Sequence, residues 1–367
     1  MSAADDNRHM ARALHLAARG LYTTDPNPRV GCVLVNDGRI VGEGWHAYAG
    51  GPHAEINALA RAGAGAAGAT AYVTLEPCCH QGRTPPCTEA LIKAGVQRVV
   101  FAMRDPNPQV TGAGGSALQA AGIEVLSGVL AVEASRLNPG FELRMRAGRP
   151  WVRCKLAMSL DGRTSMASGE SQWITGSAAR RDVHHLRARS SAIMTGIDTV
   201  LADDPSLTAR LEDDRYAEVR QPLRVILDSR LRLPATARLL DMPGDTLVFT
   251  GMDASTERVR FGHVAVSVIT VPVKSGRLDL VAVLQHLGSL EINEVHVEAG
   301  ATLSGALLQA GLVDELVIYM APHLMGDTAR GLFSLPGLDS MADRIQLAIA
   351  DIRAVGQDWR ITATVKQ

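Results

Sequence analysis

The chain predicts an α/β protein of two domains, on three observations. Helix and strand patterns alternate along its length, an Arg- and Gly-rich stretch over residues 136–150 interrupts them, and 367 residues suffice for two cores. With 46% hydrophobic residues the composition is that of an ordinary globular protein. The interruption is read as the domain boundary and places the domains at 1–147 and 148–367.

In the first domain Met10, Ala13, Leu14, Ala17 and Leu21 mark an amphipathic helix over about 6–20. Strands near 29–36 and 39–45 flank the turn Asn36-Asp37-Gly38 and make an opening hairpin. A helix over 53–62 leads to the apolar strand Ala71–Leu75, and a helix over 88–94 to the strand Arg98–Ala102. A helix over 114–121 and the strand Glu124–Ser127 follow. Alternation after a hairpin predicts a three-layer α/β/α domain around a mixed sheet.

The pattern restarts with a strand over 152–158. Pro222–Asp228, Thr246–Thr250, Val264–Val271, Glu294–Glu298 and Glu315–Ala321 read as further strands, with Arg344–Ile352 and Trp359–Val365 as a final antiparallel pair. The strand ending at Glu298 runs into Gly300–Ala306 and the helix Leu307–Ala310, a turn of the kind that presents free amides to a phosphate. Such turns are common in α/β proteins. Gly112-Ala113-Gly114-Gly115 lacks a directly preceding strand and reads as an ordinary helix start.

A formal net charge of −1 gives no general pull toward nucleic acid. The apolar runs Ala62–Leu75 and Ala299–Val313 are shorter than the ~20 residues of a membrane span, and the N-terminus, with Asp5 and Asp6, does not read as a signal peptide. The expected location is cytoplasmic. Five scattered cysteines make a disulfide framework a poor reading. Cys32 and Cys154, in apolar runs, read as core residues.

The other three cysteines carry chemistry. His53-Ala54-Glu55 is followed by Pro77-Cys78-Cys79 and, after a polar turn, by Cys87. One imidazole and two thiolates hold zinc with a position left for water, whose pKa then falls to about 7. Glu55, two residues beyond His53, reaches that side without being a ligand and can move protons, the arrangement of hydrolytic deamination of a nucleobase-like ring. Cys79 competes with its neighbours as a ligand, and His80 would close a purely structural site; a structural site has no use for Glu55.

Glu76-Pro77-Cys78-Cys79-His80-Gln81-Gly82-Arg83-Thr84-Pro85-Pro86-Cys87, His53-Ala54-Glu55 and Pro26-Asn27-Pro28-Arg29-Val30-Gly31 resemble the deaminase domain of the bifunctional riboflavin-biosynthesis deaminase/reductases. The nine-residue step from Cys78 to Cys87 replaces the usual Pro-Cys-x-x-Cys spacing, and Cys79 stands where the family usually has serine. The resemblance implies a cytidine-deaminase-like fold, zinc on His53, Cys78 and Cys87, Glu55 as the catalytic residue, and substrate contacts from Asn27, His46, His80 and Arg83. Taken alone, His46 reads equally as a strand-end surface histidine, and Arg83 as a solvated loop charge.

Lys155-Leu156-Ala157-Met158-Ser159-Leu160-Asp161-Gly162, Ser168–Thr175, Asp203–Thr208 and Val297–Gly300 resemble the reductase domain of the same family, which has a dihydrofolate-reductase-like fold and uses NADPH. The resemblance implies cofactor contacts from Ala157, Trp173, Thr199, Asp203, Ser229, Gly300, Ala301, Thr302, Leu303, Ser304, Gly305 and Ala306. It implies substrate contacts from Lys155, Ser171, Arg187, Leu207, Arg210 and Glu298, with Arg187 and Arg210 suited to a 5′-phosphate. An ion pair of Arg187 with Asp182 or a neighbour is the plainer reading of that residue. Residues 211–290 carry no motif.

The implied activity is deamination of 2,5-diamino-6-ribosylamino-4(3H)-pyrimidinone 5′-phosphate, then reduction of its ribosyl group by NADPH, by a homodimer without nucleic-acid or membrane partners. The alternatives are a nucleic-acid base deaminase with a non-catalytic second domain, and a non-enzymatic zinc module. Near-neutral charge without interleaved basic and aromatic residues disfavours the former.

Overall fold

The structure is a computed structural model and describes residues 2–80, 85–108, 110–212, 220–253 and 266–366. The chain divides into two compact units, Met1–Gly148 and Arg149–Gln367.

In the first unit α1 (Ala3–Ala17) is followed by the hairpin β1 (Gly31–Asn36) and β2 (Arg39–Trp45), then α2 (Ala54–Ala62), β3 (Thr70–Leu75), α3 (Cys87–Lys93), β4 (Arg98–Met103), α4 (Ala113–Ala120), β5 (Glu124–Ser127), α5 (Ala131–Leu137) and α6 (Pro139–Ala147). The sheet order is β2-β1-β3-β4-β5, with β1 antiparallel to β2 and β3 and the rest parallel. Side chains alternate between its faces. Cys32, Leu34, Val73 and Phe101 pack with Ala58 of α2, Leu91 of α3 and Leu118 of α4. Val33, Val35, Tyr72 and Val100 pack with Met10 and Leu16 of α1 and Ala134 of α5. These are the three layers expected.

Two local readings are corrected. α1 starts at Ala3 rather than near residue 6, because Ser2 and Asp5 form a reciprocal capping box. Residues 136–147, read only as part of the boundary segment, are the end of α5 and all of α6, and the break between the units follows at Gly148. Pro139 sits at the start of α6, where its fixed φ suits a helix. Asn138, just before it, accepts from Arg29 N at 2.8 Å and donates to Arg29 O at 3.0 Å, tying the segment to the Pro26–Arg29 loop.

The second unit runs β6 (Trp151–Ser159), β7 (Arg163–Ser165), α7 (Ser177–Arg189), β8 (Ala192–Gly196), α8 (Ile197–Asp203), β9 (Leu223–Leu227), β10 (Thr246–Thr250), β11 (Val266–Thr270), β12 (Val273–Lys274), β13 (Arg277–Leu278), α9 (Leu280–Ser289), β14 (Glu294–Glu298), α10 (Ala301–Gln309), β15 (Glu315–Ala321), β16 (Arg330–Gly331), β17 (Leu347–Val355) and β18 (Asp358–Val365). Its main sheet has the order β11-β10-β9-β8-β14-β6-β15-β18-β17. The seven strands from β11 to β15 are mutually parallel, and β18 and β17 complete the sheet antiparallel. The final pair is as expected; β8, a central strand, was not foreseen. Val283 and Leu287 of α9 and Leu307 of α10 cover one face with Cys154, Met194 and Val297. Ile197 and Val200 of α8 cover part of the other with Ile193 and Ile226.

Strand order locates a crevice. β8 and β14 are neighbours, but β8 continues to β9 on one side and β14 to β15 on the other. Ligands of open α/β sheets bind outside the carboxyl ends of such a strand pair. No described helix is long and apolar enough to cross a membrane. Cys32 and Cys154 are fully buried, as expected of core residues.

Candidate active sites

In the first unit the chain brings the zinc donors together from three elements. His53 caps α2 in an extended conformation, and Asn57 ties that helix to the end of β2 through Trp45 O at 2.9 Å. Cys78 follows β3, and its carbonyl accepts from Thr88 N at 3.2 Å. Cys87 opens α3, with its own amide 3.4 Å from Cys78 Sγ. His53 Nδ1 lies 3.1 Å from Cys87 Sγ and 3.6 Å from Cys78 Sγ, and the three donor atoms all fall within 4.8 Å of one another. A tetrahedral zinc at ordinary bond lengths spaces its nitrogen and sulfur donors by about 3.5–3.8 Å. The donor set therefore fits zinc in both chemistry and spacing.

Cys79 and His80 lie outside this cluster, and His80 is exposed. Hydrogen bonding from Cys87 and, against burial, from His53 pulls the Cys78 thiol down to about 4, toward the thiolate that binds metals. Glu55 is 3% exposed, and burial raises its carboxyl pKa despite the opposing charge of His53. That is the shift a group needs in order to take and return protons near neutral pH.

Beside the donors, His46 Nδ1 meets Pro52 O at 3.0 Å and its Nε2 meets Asn27 Nδ2 at 3.0 Å. Burial lowers the His46 pKa, so the neutral ring donates from Nδ1 to the carbonyl and accepts from the amide. His46 is 3% exposed, not the surface histidine of the plainer reading. Arg83 lies outside the described residues.

Glu76, at the start of the cysteine motif, has a structural role that its sequence context does not reveal. Its carboxylate accepts from Asp105 N at 3.2 Å, Gly112 N at 3.0 Å and Gly115 N at 3.0 Å. The start of α4 thus clasps the chain just before Cys78. A Cβ on Gly114 would stand 2.0 Å from Pro77 O, so only glycine permits this approach. Glu76→Ala is expected to cost about 2 kcal/mol of stability by stranding these amides, measured by urea unfolding of the full chain.

In the second unit, Lys155 on β6 pairs in register with Glu298 at the end of β14. Glu298 takes Arg187 bidentately, Nε at 2.5 Å and Nη2 at 2.9 Å, while Arg187 Nη1 donates to Thr208 O at 3.0 Å. Asp182, the partner named in the plainer reading of Arg187, instead accepts from Tyr319 OH at 2.6 Å and from Arg360 at 3.0 Å. Burial lowers the Lys155 pKa, against the attraction of Glu298. Ser171 is half-buried and Arg210 exposed. Leu207 is buried in the core with Ile197 and Val200, so only its backbone is available for contact.

Ala157 lies on β6, Thr199 and Asp203 on α8, Ser229 just past β9, and Gly300 caps α10. α8 and α10 open from the two strands that flank the crevice. Gly300, the N-cap, has no side chain to offer the first amides of α10. The expected run narrows there. Ser304 and Gly305 turn inward, and a Cβ on Gly305 would stand 2.1 Å from Ser334 O, whereas Gly300 and Thr302 are exposed. Trp173 is 71% exposed, with the Arg180 guanidinium 4.7 Å from its ring centre.

The sequence matches the RibD C-terminal domain over residues 150–361 and the cytidine and deoxycytidylate deaminase zinc-binding region over 3–103. It is 55% identical to the riboflavin biosynthesis protein RibD of Escherichia coli over 361 residues, covering 96% of this chain and 97% of that protein. The chain belongs to this family. The Haemophilus influenzae protein of the same name is 50% identical, across 97% of this chain and 96% of its own. The Acinetobacter baumannii RibD structure (form 1) superposes with a TM-score of 0.92 at 49% identity, covering all of both chains. The Thermotoga maritima diaminohydroxyphosphoribosylaminopyrimidine deaminase/5-amino-6-(5-phosphoribosylamino)uracil reductase does so at 0.86 and 33%, covering 99% of each.

The protein is therefore a bifunctional deaminase and reductase of riboflavin biosynthesis that acts on a small molecule and uses zinc and NADPH. Its folds are cytidine-deaminase-like and dihydrofolate-reductase-like. A second domain matched to the RibD C-terminal domain disfavours the alternative of a nucleic-acid deaminase with an inert partner domain.

Proposed function

We propose that residues 1–147 carry the deaminase and 148–367 the reductase, with His53, Cys78 and Cys87 as zinc ligands and Glu55 as the proton carrier. The carrying observation is the three-donor cluster with a buried carboxylate beside it. Zinc held by His53, Cys78 and Cys87 would supply an acidified water for attack on the amino-bearing ring carbon. Glu55 takes that water's proton and delivers it to the leaving nitrogen. Asn27, oriented by its bond to His46, meets the polar edge of the ring, with His80 and Arg83 completing the substrate set.

In the second unit the crevice between β8 and β14 receives NADPH against Ala157, Trp173, Thr199, Asp203, Ser229 and the start of α10. Lys155, Ser171, Arg187, Arg210, Glu298 and the Leu207 backbone hold the pyrimidine. Arg210, with Arg187 behind it, takes the phosphate. The residues align the sugar with the nicotinamide and exclude water, while hydride transfer is the cofactor's own chemistry.

The protein acts as a cytoplasmic homodimer in this reading. Five free thiols suit a reducing compartment. Edge strand β17 leaves Ile349 62% and Ile352 52% exposed, apolar surface suited to a second copy.

The test is purified full-length protein with the diaminopyrimidine phosphate, following ammonia release and NADPH absorbance separately. Zinc chelation is expected to stop ammonia release while oxidation of NADPH by pre-deaminated substrate continues. Loss of both activities together would contradict the division of labour.

A further inference from the structure

Thr208–Arg210 follows α8 and belongs to no helix or strand, yet side chains hold its backbone at four atoms. Arg187 Nη1 donates to Thr208 O at 3.0 Å. Gln221 brackets Ala209, its Oε1 accepting from Ala209 N and its Nε2 donating to Ala209 O, both at 2.9 Å. His184 Nδ1 accepts from Arg210 N at 3.2 Å. Loop backbone ordinarily turns to water or to its own turn partners. Here three side chains from two places in the sequence meet one three-residue stretch, and the stretch ends in an exposed cation.

The cation also sits beside His184, but because Nδ1 accepts from the Arg210 amide, Nε2 of the neutral ring carries the proton and offers the guanidinium no acceptor. Arg210 Nη2 lies 3.4 Å from His184 Nε2, so one imidazole adjoins both the amide and the guanidinium of the same residue. His184 and Arg187 stand three residues apart on α7 and share a face. Burial, with the charges of Arg187 and Arg210, pushes the His184 pKa down to about 4, so at neutral pH the ring is uncharged and keeps its acceptor nitrogen.

We propose that His184 and Gln221 are positioning residues that preset Arg210 for the phosphate of the reductase substrate, acting through the Thr208–Arg210 backbone. This rests on the assignment of Arg210 to the substrate made above. An exposed arginine gives up much rotamer freedom when it grips an anion, and a backbone already held in place reduces that loss. Gln221 thereby gains a role in a part of the sequence without motifs. Neither side chain needs to touch the substrate.

The experiment uses the full chain with NADPH and two substrates, the deaminated pyrimidine 5′-phosphate and its dephosphorylated counterpart. His184→Ala and Gln221→Ala are each expected to raise KM for the phosphorylated substrate roughly tenfold. Both should leave kcat at saturation, KM for NADPH and KM for the dephosphorylated compound within about twofold, since uniform binding alone is lost. His184→Asn, which keeps an acceptor near the Arg210 amide, should recover part of the loss. Arg210→Ala is the control. If it raises KM for the phosphorylated substrate while neither other variant does, the positioning proposal is wrong and the reading of Arg210 stands. If Arg210→Ala changes nothing, that reading fails and the proposal with it. A parallel fall in kcat and in affinity for both substrates and NADPH would reveal a merely structural role and overturn it too.

Discussion

Replacing Glu55 by glutamine is expected to slow deamination by about 10²–10⁴-fold, the usual contribution of a positioned acid/base group. The change keeps the shape of a side chain that is 3% exposed, so the loss reports chemistry rather than packing. His53, Cys78 and Cys87 remain as the donor cluster, and zinc content by elemental analysis should stay at the wild-type level. NADPH oxidation with pre-deaminated substrate should also persist, because the residues assigned to it lie in Arg149–Gln367. Zinc lost together with activity would make Glu55 a ligand. Deamination retained near the wild-type rate would remove the proton-carrier role altogether.

The deaminase site was legible because metal chemistry is local in type. A histidine, two cysteines and an unliganded glutamate announce themselves by residue identity, and the long step from Cys78 to Cys87 is visible without a fold. What supports those residues was not legible. Glu76 reaches amides 29 to 39 residues away, and Asn138 brackets Arg29 across 109 residues. Bonds from a side chain to distant backbone leave no periodicity in either partner. The helix at Pro139–Ala147 was missed for a related reason: its arginines and glycine resemble a domain boundary, and only its packing and the Asn138 bracket make it part of the domain.

The second unit shows the opposite balance. Most of its strands could be read from apolar runs, but β8 was hidden in a short segment between two helices. Without that strand the sheet order is undefined, and with it the crevice between β8 and β14. Its site residues came from resemblance to a family, and the structure sorts them by placement. Gly300 and Thr302 are exposed at the crevice, whereas Leu207, Ser304 and Gly305 turn inward.

Arg187 and Glu298 give the second large effect. Each side chain is only 15% exposed, and the two are joined by paired hydrogen bonds. Glu298→Gln leaves a buried guanidinium without its counter-charge, and the expected loss is about 3 kcal/mol of stability in the second unit. Arg187→Met combined with Glu298→Leu removes both charges and should cost much less, because neither ion is then buried alone. Urea unfolding of the single and double variants measures the coupling, and additive losses would show that the pair is not a unit. The pair also sets a pH dependence. Burial alone would raise the Glu298 pKa, but Arg187 and His296 outweigh it and hold the carboxyl well below its ordinary range. Unfolded, the group returns to about 4.3, so its stabilising contribution is fully present above that value. The contribution is lost as pH falls through the depressed folded value. The stability gap between wild type and Glu298→Gln should therefore hold from neutral pH to about 5 and close only in stronger acid. A gap that closed instead between pH 6 and 8 would point to a histidine, with His296 as the nearest, rather than to the arginine as the partner that matters.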